Sequence, residues 1–600
     1  MTEHKTRLRA RIALAFLVAL ALPGAAFPAD AAAKARFDKL LAEAWELDKQ
    51  ESPLLATATG DHRYNDRLPS VAAADLERRA AAARAQLEAL QAIDSAALDP
   101  QDRVSYAMFA RDLRRDLARR QFRAERIPIT SDSGFHTGIS RLAQEVPLAN
   151  PKDYENYIAR LRAIPTYFEQ HVAHMREGLA TGFTSSQIAL AGYESTMQTH
   201  VVDAPEKSVF WKPFASFPPG VPAAEQERLR AAGRDAITTA VVPAYRGLLE
   251  FFTKEYRPGA RKTLGASELP DGKAYYGWLV KDFTTLDVTP EAVHKIGQGE
   301  VERIRSEMDA VVKKSGFQGS FPAFLEFLRT DPRFYAKTPD ELVRQASWIA
   351  KRMDGKLPSL FGRLPRQPYG VEPVPDDLAP KYTGGRYVGA PLDGRRAGTY
   401  WVNTYALETR PFYQLESLTL HEAVPGHHLQ NALTKELDGI PPFRRYSYVN
   451  AFGEGWGLYS ERLGIEAGFY QDPYSDFGRL SYEMWRACRL VVDTGIHTMG
   501  WTRQQAIDYM SERTALSKHE VTTEIDRYIS WPGQALAYKM GELKIRELRA
   551  RAEKQLGTGF DVRAFHDAVL AYGSVPLDVL DKQIDEFIES RRATSARPSP

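Results

Sequence analysis

Pro425 followed by Gly426 interrupts the most chemically loaded segment of this 600-residue chain. That segment reads His421-Glu422-Ala423-Val424-Pro425-Gly426-His427-His428. A regular α-helix cannot pass through it unchanged. The proline ring clashes with the carbonyl of residue 421, one backbone hydrogen bond is lost, and the glycine loosens the backbone beside it. A helix entering near Pro411 is therefore expected to kink or bulge between Glu422 and His427.

The break decides which side chains can meet. In an H-E-x-x-H helix, two His four residues apart bind one metal ion and the Glu beside the first acts as general base. Here Pro425 occupies the fifth position, and the next imidazoles follow His421 by six and seven residues. On a straight helix, seven residues span about 10.5 Å, too far for one tetrahedral ion, and residues six apart lie on different faces. A bulge worth two residues brings His427 to the place of the second His. His421 and His427 are thus the expected metal ligands, with His428 as the fallback, and Glu422 is the expected general base. The competing reading is a polar helix end with capping histidines. Three His and one Glu within eight residues, in a chain with only 13 His, favour a metal.

A catalytic zinc takes three protein ligands, so a third is needed. Gly453-Glu454-Gly455-Trp456-Gly457 offers Glu454 on a following helix, flanked by glycines that let another helix come close. Glu461, two turns further on roughly the same face, suits a role orienting a His. Tyr538 and Arg527 are candidates for steadying an oxyanion, since both donate to oxygen. Their alternative is packing and surface charge. Asn403, on the strand candidate Gly398–Thr404, is a candidate for binding substrate backbone. His497 reads equally well as a satisfied interior His.

The rest of the chain is mainly α. Residues 31–49, 72–93, 154–181 and 223–256 carry apolar residues at helical spacing in Ala/Leu/Glu/Arg-rich sequence. Thr289-Pro290-Glu291 and Thr338-Pro339-Asp340-Glu341 are helix starts, each with a capping Thr, proline in the first turn and acids near the positive end of the dipole. Residues 357–410 are rich in Pro, Gly, Tyr and Val and read as loops with a small β element before the metal-binding helix. Further helices are expected at 451–466, 475–499, 502–512, 521–529 and 533–554. A soft boundary near 259–270 separates an N-terminal helical region (30–260) from a catalytic helical region (261–594), with a loose tail at 595–600.

Composition bounds the function class. The net charge of +2 gives no electrostatic case for nucleic acid. Residues 1–29 read as a secretory signal: a basic start, an apolar run from Ile12 to Leu22, then small residues. That run is too short for a membrane span, and no stable anchor is expected. The single Cys, Cys488, allows no intramolecular disulfide and leaves no Cys after the signal to carry a lipid. A periplasmic or secreted protein follows; its oligomeric state is not encoded in these patterns.

Several segments resemble one family. His-Glu-Ala-x-Pro-Gly-His-His-Leu-Gln at 421–430, Glu-Gly-Trp-Gly-Leu-Tyr at 454–459 and Val-Asp-Thr-Gly-Ile-His at 492–497 are similar to the bacterial domain-of-unknown-function 885 family. So are 289–294 and 532–541. That family in turn looks related to the gluzincin zinc peptidases, which implies a large multi-helix, zincin-like architecture. The resemblance makes His421 and Glu422 the first His and the base, His427 the second ligand and Glu454 the Glu of the following helix. It matches Tyr538 to an oxyanion Tyr by role only. The His spacing is longer than in those peptidases by two residues. The expected activity is zinc-dependent cleavage of short peptides. The alternatives are a zinc hydrolase of esters or non-peptide amides, and a peptide-binding protein with a degenerate site.

Overall fold

The computed structural model describes residues 30–376, 379–390 and 396–595. The expected secretory segment, 1–29, and most of the tail, 596–600, lie outside the described residues. Among the described residues the protein is mainly helical, with one small sheet. Its N-terminal part is built on α1 (Ala31–Glu51), α2 (Ala73–Gln91), α3 (Pro100–Gln121), α4 (Pro151–Thr181) and α5 (Ala223–Ala236). The helical path of α5 continues through two π-helical turns, Ile237–Val241 and Phe252–Tyr256.

The start signals act locally. In α6 (Pro290–Lys314) the Thr289 hydroxyl accepts from the Ala292 N–H at 3.2 Å. Thr338 does the same for Glu341 at the head of Pro339–Asp354. Each cap satisfies an amide that the first turn leaves without an intrahelical partner.

The sheet holds β1 (Tyr369–Pro373), β2 (Gly385–Val388) and β3 (Gly398–Val402), in the order β1-β3-β2. β3 pairs parallel with β1 and antiparallel with β2. β2 is thus an edge strand, and its open edge faces the helix that follows the sheet.

That helix is α7 (Phe412–Glu422). The chain then turns and restarts as α8 (His427–Lys435). After them come α9 (Asn450–Glu466), α10 (Pro473–Thr498), α11 (Lys518–Ser530) and α12 (Ala537–Leu556). α10 is buried nearly throughout and packs on α6 and α7. One apolar cluster joins Leu420, Trp456 and Ile545 to Val104 and Met108 of α3. No helix among the described residues is long and apolar enough to cross a membrane.

Candidate metal centre

The expected kink is a full break. α7 ends at Glu422, and Ala423 and Gly426 take the non-helical conformations φ −92°, ψ −110° and φ −75°, ψ −128°. The turn runs through a cis Val424–Pro425 peptide. Its polar groups are satisfied locally. Gly426 N–H donates to Leu420 O at 3.0 Å, His428 N–H to Ala423 O at 3.0 Å, and the Trp456 indole N–H to Pro425 O at 2.8 Å. The last bond ties the turn to α9. A Cβ on residue 426 would lie 1.9 Å from the His421 carbonyl oxygen, so only glycine lets the backbone fold back this closely.

The turn sends His427 and His428 to different places. His427 returns toward His421, with the two rings perpendicular and their centres 4.7 Å apart. His428 turns away and is buried, its Nδ1 3.1 Å from the Tyr387 hydroxyl and its Nε2 3.1 Å from Gln367 O. Burial lowers its pKa to about 4, so it is a neutral packing group.

α9 supplies the third member. Glu454 Oε2 lies 3.5 Å from His421 Nε2 and 3.5 Å from His427 Nε2. One ligand atom from each of the three residues falls within 4.8 Å of the others. α9 approaches this closely because of its glycines. A Cβ on residue 457 would come within 2.6 Å of the His421 ring, and one on residue 455 within 2.5 Å of the Gly541 backbone in α12.

The donor set fits a tetrahedral metal. With bonds of about 2.0 Å, such an ion separates its ligand atoms by about 3.3 Å, close to the two observed His–Glu spacings. Two imidazoles and a carboxylate are a zinc donor set, with room for a fourth ligand. The electrostatics agree. Burial alone would lower the His421 pKa, but Glu454 and Glu461 raise it to about 9. Burial would raise the Glu454 carboxyl, but His427 and His421 hold it well below the usual range. The pocket favours positive charge at its centre.

Glu461 stands behind His421, its Oε1 2.8 Å from Nδ1 and 3.1 Å from Arg486 Nη2. This fixes the ring with Nε2 facing Glu454. His427 Nδ1 has no such partner among the described residues. Glu422 is next to His421, and its carboxylate accepts the Tyr387 N–H of β2 at 2.8 Å. The sheet edge thus fixes the position of the carboxylate.

The outer candidates fare differently. Tyr538 lies in the first turn of α12 with the Arg489 guanidinium 4.2 Å above its ring centre. Arg527 is committed to Glu524 at 2.9 Å and to the Gln534 side-chain oxygen at 2.7 Å. Asn403 requires a correction. It is fully buried, its Nδ2 donates to the carbonyls of Ala379, Tyr382 and Thr383, and its Oδ1 accepts from Tyr405 N–H. It pins the loop before β2 and has no donor left for a substrate. His497 bonds backbone through both ring nitrogens.

Tyr448, which sequence reasoning passed over, donates its hydroxyl to Glu454 Oε1 at 3.0 Å. It also lines an open cavity of about 860 Å³ bordered by α1, α2, α3 and residues 446–449. The cluster and this cavity therefore share a side chain. Its one sequence signal is position, just ahead of the helix that carries Glu454.

A family profile described as "Bacterial protein of unknown function (DUF885)" matches residues 53–584, and the chain belongs to that family. No curated protein matches the chain. Among solved structures, a "putative lipoprotein" from Colwellia psychrerythraea is 28% identical, with a TM-score of 0.87 over 93% of this chain and 100% of that one. A second, from Shewanella oneidensis and described as of unknown function, is 19% identical with a TM-score of 0.70 over 91% of this chain and 99% of that one, and shows the fold alone. The lipoprotein description stays with those proteins: Cys488 here is buried in the middle of α10.

Proposed function

We propose that the protein is an exported zinc-dependent hydrolase of short peptides, of gluzincin-like, zincin-type design. The observation that carries the reading is the convergence of His421, His427 and Glu454, with Glu422 beside the first His. A zinc ion held by those three side chains would supply Lewis acidity toward the scissile carbonyl and acidify water. Glu422 takes the proton of the attacking water and returns it to the leaving amine. Tyr538 donates to the oxygen that gains charge, and Tyr448 steadies Glu454 through its hydroxyl. The cavity of about 860 Å³ that adjoins the cluster at Tyr448 has the volume for a short peptide. Esters and non-peptide amides would use the same residues.

The test is a peptide-library digest by the purified protein, with zinc and with a chelator. The reading expects cleavage that the chelator stops and zinc restores. A protein without stoichiometric zinc that cleaves nothing would sink it.

Two measurable consequences follow from the site. Without metal, His421 keeps its proton until about pH 9, so zinc must displace it. Zinc affinity should rise about tenfold per pH unit below that value and then level off, as read by a competing chelator. Affinity that is flat between pH 6 and 9 would contradict a role for His421. Glu461→Gln should weaken zinc binding about 10–100-fold, because the ring loses its charged orienting partner. An unchanged dissociation constant would reduce Glu461 to a packing role.

A further inference from the structure

The mechanism above does not use Arg386. Arg386 lies on edge strand β2, one residue before the amide that holds Glu422. Successive strand side chains point to opposite faces. Tyr387 points inward, to His428. Arg386 therefore stands on the other face, where it is exposed. Trp401 is its cross-strand partner. Its guanidinium sits 5.5 Å from the centre of the Tyr382 ring, and Tyr382 meets Trp401 edge-on at 6.0 Å. The next residue in the strand, Tyr387, holds the Glu422 carboxylate through its amide, and the charges of Glu422 and Glu454 raise the pKa of Arg386.

The neighbouring arginines are spent. Arg486 pairs with Glu461, and Arg489 and Arg527 both pair with Glu524. Among the described residues, no carboxylate forms an ion pair with Arg386; its partner is the neutral Tyr382. An exposed guanidinium on an aromatic shelf, one residue from the amide that holds Glu422, is built to take a planar anion through two parallel hydrogen bonds.

We propose that Arg386 binds the free C-terminal carboxylate of the peptide cut at the cluster, which makes the protein a carboxypeptidase-type enzyme releasing short C-terminal fragments. This rests on the peptidase reading and narrows it to one substrate class. Arg386 acts on binding, so its loss is felt in KM and not in the chemistry.

The test uses one short peptide in four forms, with each terminus free or blocked: the N-terminus by acetylation, the C-terminus by amidation. Amidation should raise KM about tenfold or more with kcat little changed, because a charged partner is removed from the guanidinium, whereas acetylation should have little effect. Arg386→Gln should raise KM of the free acid to that of the amide and leave the amide unaffected, and Arg386→Lys should recover part of the difference. Equal cleavage of acid and amide, a requirement for a free N-terminus, or an equal fall of kcat on both substrates in Arg386→Gln would overturn the assignment while leaving a peptidase. Cleavage of none of the four forms by the zinc-loaded wild type would overturn the peptidase reading and this assignment with it.

Discussion

Replacing His427 by alanine should strip the protein of zinc, whereas replacing His428 should leave zinc bound and lower stability. The two residues are adjacent and identical in kind, so only the backbone path separates them. Gly426 and Ala423 leave helical conformation, and the restarted helix carries His427 back to within 3.5 Å of Glu454. His428 is 1% exposed and hydrogen-bonded to Tyr387 and Gln367. His427→Ala should weaken zinc binding by more than about 100-fold, beyond what the loss of an orienting partner costs. His428→Ala should instead lose about 1–3 kcal/mol of stability, through buried groups left without partners and a small void. Zinc content after dialysis and urea unfolding of the two variants separate these outcomes. The reverse pattern would mean that the turn is folded differently.

The second large effect falls on the reaction and not on the metal. Glu422→Gln should lower kcat by about 10²–10⁴-fold, the range that a positioned general base supplies. The amide can still accept the Tyr387 N–H through its oxygen, so the fold and zinc content should be retained. Loss of activity with full zinc content marks Glu422 as the base; activity within a few-fold of wild type would assign proton transfer to another group.

The parts of this fold that are legible in the sequence are the local ones. Thr289-Pro290 and Thr338-Pro339 announce their helices because a cap and a fixed φ act within four residues. The Pro-rich stretch before residue 410 announces loops and short strands for the same reason. The break in the metal segment is legible as a break, since proline cannot sit inside a regular helix. Its exact path is not, because it depends on Trp456 of another helix holding the Pro425 carbonyl. Asn403 illustrates the opposite case. A polar residue at the end of a strand looks available, yet three loop carbonyls from residues 379–383 consume its donors. Tyr448 reaches Glu454 through tertiary packing, and its position just ahead of that helix is a weak mark in the sequence. Glu454 was legible because its flanking glycines reflect a close approach that any packing of this helix against a ring and a backbone requires.

The most direct measurement is anomalous diffraction at the zinc absorption edge from crystals of the zinc-loaded protein. A peak bonded to His421 Nε2, His427 Nε2 and Glu454 Oε2, with a fourth position open beside Glu422, is the predicted result. A peak that includes His428, or no peak between the three side chains, would contradict the metal centre on which the hydrolase reading stands.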